Sequence, residues 1–210
     1  MTYSIVAVAP GGRYLGVATA SGSAAVGSRV PWARYPVAAV ATQAYTNPSL
    51  GPKVIELVGR GLSAEEALRR CLSIDPNPEL RQVAVVSIGG GSAVHSGSGV
   101  PRESGQYVGR YSVCVANLVA DPGIASEACE VFEEGVSRTL KGFVKSMLKA
   151  LERAHELGGD RRGDRSSAIL VTGLTEYMPY YDRLVDLRVD YSENPIGELE
   201  RLARVVLDIH

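Results

Sequence analysis

Thr2 stands directly ahead of an apolar run, in MTYSIVAVAPGGRYLGVATASGS, and it is the residue of this chain best placed for unusual chemistry. A threonine hydroxyl attacks a carbonyl only when a base takes its proton. Removal of the initiator methionine, which a small second side chain usually permits, gives Thr2 a free α-amine within reach of its own hydroxyl. That amine, with a reference pKa of about 7.7–8.0, accepts protons near neutral pH with no histidine or aspartate supplied from elsewhere. The ordinary alternative is a small residue that begins a strand early for packing reasons alone.

Four further stretches carry residues able to meet a substrate. In ATQAYTNPSLGP, Gln43 and Asn47 lie at the end of an apolar run, where their amides can position a carbonyl or carboxylate, or where Asn47–Pro48 makes a turn. In SVCVANLVADPG, Asn117 interrupts a strongly apolar segment, so its amide is expected to be buried and to need partners. An amide so placed can donate to an oxyanion or satisfy local backbone. GGDRRGDRSSA alternates Asp160, Arg161, Arg162, Asp164 and Arg165 around Gly163 and ends in Ser166 and Ser167. Such a loop pairs its own charges in water or, through arginine forks, binds a carboxylate or a second subunit. His95 sits beside Ser96, but neighbours on a strand point to opposite faces. A phosphate loop, a zinc-protease helix, a nucleophile elbow and a dinucleotide fingerprint are all missing from the chain.

The elements that must position these residues follow from periodicity and punctuation. Tyr3–Ala9 and Tyr14–Ser21, split by PGGR, read as a hairpin with both faces covered. Tyr35–Thr46 reads as another buried strand. A helical pair follows, the first ending at Gly61 and the second with Ser63 and Glu66 in capping-box spacing. RQVAVVSIGGGSAVHSGSG gives a second hairpin around Gly89–Gly91, and Arg110–Ala120 a further strand. One long helical stretch runs from about Gly123 to Leu157, with Leu140, Val144, Met147, Leu148 and Leu151 on a buried stripe. AILVTGL and Asp182–Val189 are the last strands. A final helix is capped by Asn194 with Pro195 at its first position, presenting Ile196, Leu199 and Leu202 on one side. Segregated runs of strands and helices indicate an α+β fold, a four-layer αββα sandwich of two antiparallel sheets, formed as a single domain over 1–210.

Bulk properties narrow the function. The 210 residues are 45% hydrophobic with a formal net charge of −1, which gives no attraction to nucleic acid or an anionic membrane. Scarce aromatics weaken a base-stacking role. Cys71, Cys114 and Cys129 lack metal-ligand spacing and read as buried thiols. No leader or membrane-spanning run is present, so a cytoplasmic protein is expected.

Taken in order, MTYSIVA, VPWARYPVAAVATQAYTNPSLGP, GLSAEEAL, NLVADP and GGDRRGDRSSA resemble an uncharacterised bacterial and archaeal family, domain of unknown function number ten twenty-eight. The likeness runs over nearly the whole chain and is most specific over Trp32–Pro52. That family is placed with the N-terminal-nucleophile (Ntn) hydrolases, which implies the same αββα layers. The opening also resembles a proteasome-type subunit, in which Thr2 matches the nucleophile. Asp160 and Ser166–Ser167 then fall where such subunits keep an acid and a serine near the terminal amine. Two positions depart from the pattern. The acid at the end of the second strand is replaced, with Ser21 nearest, and no lysine precedes Lys53. Arg29 or Arg34 supplies positive charge there, but neither acts as a base. The Cys and His frequent in the family after HSG are also missing from VPRESGQYVG.

The expectation is therefore an Ntn-type amidohydrolase acting on a small amide- or peptide-like molecule. Thr2 is nucleophile, its amine the base and Asn117 the oxyanion donor. Ser21, Arg29, Gln43, Asn47, Asp160 and Ser166 are expected around the substrate, with Arg161 or Arg162 meeting a carboxylate. No metal or organic cofactor is implied, the balanced charge gives no nucleic-acid or membrane partner, and a small-molecule substrate and a homo-oligomer are expected. The alternative is a catalytically silent member of the fold that binds a ligand or serves as an assembly subunit. A third reading, hydrolysis through His95 and a serine, requires that pair to meet.

Overall fold

The computed structural model describes residues 2–208. Met1, on whose removal the Thr2 chemistry depends, and His210, to which no role is assigned, lie outside the described residues.

Strand β1 (Thr2–Val8) turns through Gly11 and Gly12 into β2 (Tyr14–Ser21). Both glycines have positive φ, 87° and 67°, a conformation that side chains with a Cβ resist. A short 3₁₀ turn at Val26–Ser28 leads to β3 (Pro31–Arg34) and β4 (Ala38–Ala44). Helices α1 (Leu50–Gly59) and α2 (Ala64–Ser73) follow. Next come β5 (Arg81–Ser87), β6 (Ser92–Ser96), β7 (Ser104–Val108) and β8 (Ser112–Asn117). Helices α3 (Ile124–Gly135) and α4 (Leu140–Glu156) precede β9 (Ser166–Gly173), β10 (Arg183–Val189) and α5 (Pro195–Leu207).

The strands form two antiparallel sheets. One has six strands in the order β10-β9-β2-β1-β8-β7, the other four in the order β3-β4-β5-β6. Strand side chains alternate between faces, and the packing follows that alternation. Tyr3, Ile5 and Ala7 of β1 join Phe132, Phe143, Met147, Leu151 and Leu199 of the helices in one core cluster. Val6 and Val8, on the opposite face of β1, join Leu15, Val17, Val113 and Val115 against Ala39, Ala41, Ala84 and Val86 of the smaller sheet. That sheet's other face, through Val40, Val83 and Val85, packs on Leu50, Val54, Leu68 and Cys71 of α1 and α2. Each large apolar side chain so buried contributes about 1.5–3 kcal/mol, and all three thiols are buried.

Several expected elements are subdivided. The long helical stretch is two helices, because Thr139 caps α4 by accepting from Gly142 N at 3.2 Å. Its break at 136–139 lets α3 and α4 pack on each other around Phe132 and Phe143, whose rings meet edge to face at 5.9 Å. The expected strand Tyr35–Thr46 is β4 alone, since Tyr35–Pro36 belongs to the turn from β3. Strand β7, in a stretch without a hydrophobic run, is an addition: it is an exposed edge strand held by pairing with β8. The final helix has the expected cap, Asn194 Oδ1 accepting from Gly197 N at 3.2 Å. Among the described residues no helix is long and apolar enough to cross a membrane.

Candidate active site

The inward faces of the large sheet change character along their length. On β1 the inward row reads Thr2, Ser4, Val6, Val8; on β2 it reads Ser21, Thr19, Val17, Leu15. On β8 it is Asn117, Val115, Val113. The far end of the gap between the sheets is therefore hydrocarbon and the near end is hydroxyl and amide. Register makes the near end a continuous polar row. Asn117 pairs with both Ser104 and Thr2, and Ser21 with Ser166. The Thr2 hydroxyl donates to Ser21 Oγ at 3.2 Å, which joins the two halves. A cleft of about 250 Å³ opens over this row, walled by Ser23, Val26, Arg29 and Val30 on one side and Ala44–Thr46 on the other.

Beneath the row the two sheets are tied by amides. Gln43 Nε2 donates to the Thr2 carbonyl at 3.1 Å and to Gln82 Oε1 at 2.8 Å, while its Oε1 accepts from Ser4 Oγ at 2.6 Å. Ser4 also reaches Thr19 at 2.8 Å. Asn117 Nδ2 donates to the same Gln82 oxygen at 3.0 Å, and Gln82 Nε2 donates to Ala116 O and Ser96 Oγ. Gln43 is fully buried. It pins the Thr2 backbone from below and faces away from the cleft. Asn117 is likewise buried, and its Oδ1 has no hydrogen-bond partner among the described residues.

The charged Asp/Arg loop closes one side. Asp160, buried, accepts from Gly22 N at 2.6 Å and from Arg162 through Nε and Nη2 at 3.2 and 3.1 Å. It holds the chain where β2 leaves the site. Gly22 must be glycine here, since a Cβ would lie 2.7 Å from the Asp160 carboxyl carbon. Arg162 also reaches Ser23 Oγ at 3.2 Å, at the cleft wall, whereas Arg161 turns outward to Glu103 at 3.3 Å. Ser166 Oγ donates to Ser23 O and accepts from Val26 N, fastening the same wall. Arg29 lines the cleft and donates to Ala24 O at 3.1 Å. Behind Thr2, the Tyr3 hydroxyl donates to the buried Asp164, whose carboxylate also meets His155 Nδ1 at 2.8 Å. Burial, and then the Asp164 charge, push the Tyr3 hydroxyl well above its ordinary pKa.

Asn47 serves the opposite wall. Its Nδ2 donates to Asp75 at 2.7 Å and its Oδ1 accepts from Ser49 ahead of α1. Asp75 in turn grips the buried Arg81 at 2.9 Å, and Arg81 donates to Tyr45 O and lies 5.4 Å from the Tyr45 ring. Burial raises the Asp75 pKa, but hydrogen bonds from Arg81, Asn77 and Asn47 outweigh it and bring the group down to about 2. His95 and its neighbour Ser96 are engaged with different partners. His95 Nε2 meets Pro78 O at 2.9 Å, while Ser96 bonds Gln82 and Gln106.

The structure thus gathers Thr2, Ser21 and Arg29 at one cleft, with Asp160 and Ser166 fastening its wall. Gln43 and Asn117 lie under it, Asn47 supports its far side, and Arg161 points elsewhere. Sequence reasoning missed Gln82, Ser4 and the Asp75–Arg81 pair. Gln82 had a usable signal: it shares a strand face with Ala84 and Val86, as Gln43 does with Ala39 and Ala41, so two glutamines had to meet between the sheets.

A family model described as "Family of unknown function (DUF1028)" matches residues 2–199. The crystal structure of protein SPO2555 from Silicibacter pomeroyi, assigned to the same family model, superposes with a TM-score of 0.85. It is 29% identical, over 97% of this chain and 85% of that one. Anbu (ancestral beta-subunit) from Yersinia bercovieri aligns with a TM-score of 0.44 and 8% identity, over 99% of this chain and 96% of that one. The comparison with curated proteins found no match.

Proposed function

The chain belongs to the DUF1028 family, whose function is unknown, and from the geometry of its first strand we propose that it is an N-terminal-nucleophile amidohydrolase with Thr2 as nucleophile. One observation carries the reading. Thr2 is the single threonine of a polar row at the mouth of the gap between two sheets, beneath a cleft of about 250 Å³. Its carbonyl is held from below by Gln43. In this reading the three core clusters separate the four layers of an αββα sandwich, and the chain is one such domain.

The chemistry requires Thr2 to be terminal. Its α-amine takes the hydroxyl proton as Oγ1 attacks the substrate carbonyl, forming a tetrahedral adduct. The adduct collapses to a threonyl ester as the carbon–nitrogen bond breaks, and the ammonium returns the proton to the leaving amine. Water, deprotonated by the same amine, then hydrolyses the ester. A hydroxyl neighbour, Ser21, orients Oγ1 without competing as a charge. Arg29, with Arg162 behind Ser23, supplies positive potential suited to a substrate bearing a carboxylate. Val26 and Val30 offer it a small apolar wall.

The test is intact mass of untagged protein followed by treatment with a β-lactone. Loss of the methionine mass and a single adduct mapped to Thr2, abolished in Thr2→Ala and retained in Thr2→Ser, supports the reading. A processed protein that takes no adduct overturns it. The second reading, a silent ligand-binding member of the fold, is favoured by the neutral amide floor and by the pairing of Asp160 with Arg162 and Arg161 with Glu103. It predicts ligand-dependent stabilisation without an adduct.

A further inference from the structure

The amide network has a fixed direction, and that direction leaves one atom over. Gln82 Nε2 lies 3.1 Å from Ala116 O and 3.3 Å from Gly105 O, and main-chain carbonyls only accept. The other end of Gln82 is therefore oxygen, and both Gln43 and Asn117 must turn their nitrogens toward it, at 2.8 and 3.0 Å. The remaining end of Asn117 is then its carbonyl oxygen, an acceptor. It is buried and without a donor among the described residues. A buried acceptor left empty costs about 1–3 kcal/mol, so such an atom points to a donor that arrives later.

The ladder shows where that donor is. Val8 N donates to Tyr111 O at 2.9 Å, which makes Val8–Tyr111 a hydrogen-bonded pair of the β1–β8 ladder. Hydrogen-bonded pairs recur at every second residue of an antiparallel ladder. Counting back through Val6 and Ser4 brings Thr2–Asn117 into the same class, with the Thr2 nitrogen directed at Asn117. The side chains of these two residues share the inward face. We propose that Asn117 Oδ1 is the acceptor that holds the Thr2 α-amine once Thr2 is terminal.

Because the oxygen is closed to solvent, its donor comes from the chain and not from a substrate. With one N–H on the Asn117 main chain and one on Oδ1, the amine's remaining position faces its own hydroxyl, the direction a base needs. A neutral acceptor also orients the amine without trapping its proton as a carboxylate would. Asn117 is thus a positioning residue, acting as acceptor where the sequence led us to expect an oxyanion donor. The proposal rests on the reading of Thr2 as a terminal residue.

The experiment follows the Thr2 amine by NMR in untagged, processed protein carrying labelled threonine and asparagine. In the unmutated protein the Asn117 side-chain carbonyl resonance is expected to titrate with the midpoint of the amine. Asn117→Ala, which removes an acceptor that favours the ammonium, is expected to lower the amine pKa by about half a unit or more. Ser4→Ala, in the same network but away from the amine, is expected to leave it unchanged. A carbonyl resonance flat through the amine titration overturns the proposal, and needs no variant to fold. So does an amine pKa equal in wild type and a folded Asn117→Ala. Retained methionine in the intact mass removes the amine and sinks both this proposal and the Thr2 reading. A coupled titration without β-lactone labelling keeps the acceptor and rejects the hydrolase alone.

Discussion

At the scale of single residues, Gln82 holds more of the site than any group that touches the cleft. It joins both sheets by accepting from Gln43 and Asn117 and donating to β8 and β6. Gln82→Leu strands buried partners on each side, and is expected to cost about 3 kcal/mol in urea unfolding and to slow Thr2 labelling. Tyr3 gives a pH prediction. Its hydroxyl is neutral in the fold, with a pKa raised by burial and by Asp164 well above the ordinary tyrosine value of about 10. The associated stability is fully present below pH of about 10 and is lost as pH rises toward the folded value. Tyr3→Phe is therefore expected to flatten the alkaline limb of a stability–pH curve, while losing about 2 kcal/mol at neutral pH with the hydrogen bond to a charged group.

At the scale of elements, the decisive piece is the turn where β2 leaves the sheet. Gly22→Ala drives a methyl into the Asp160 carboxyl, which is itself held by Arg162. We expect a melting temperature lower by several degrees, as about 1–3 kcal/mol of overpacking gives in a domain of this size, and loss of β-lactone reactivity as the wall moves. That contact could not be read from ATASGSA, because it joins residues 138 apart in the chain. What was legible is what alternation and caps encode. The first hairpin and the Ser63 and Asn194 caps follow from local pattern. Edge strand β7 did not, since its side chains are exposed and its order comes from β8. The break at 136–139 was hidden because apolar spacing continues through it. Gln43 and Asn117 were rightly suspected of being special for their polarity, but polarity in an apolar run does not say whether an amide meets a ligand or another amide.

At the scale of the whole molecule, acid stability depends on how the outer wall of the cleft is anchored. Asp75 carries its charge down to a pKa of about 2 through Arg81 and Asn47, below the ordinary aspartate value of 3.8. A depressed carboxylate contributes above its unfolded pKa, and that contribution is lost as pH falls through the folded one. Wild-type protein is accordingly expected to lose this increment between about pH 4 and 2. Asp75→Asn, which takes the charged partner from the buried Arg81, is expected to be less stable at neutral pH and to lose less stability than wild type across that window, as chemical denaturation will show.

The walls of the cleft come from different sheets: Thr2 and Ser21 from the large one, and the segment following β4 from the small one. A molecule lodged there is a bridge between two halves of the protein, and separating the halves must first evict it. Occupancy at one hundred times the dissociation constant would add about 2.7 kcal/mol to the unfolding free energy. Melting temperature is then a gauge of recognition that needs no turnover, and a panel of small amides and carboxylates can be ranked by heat alone.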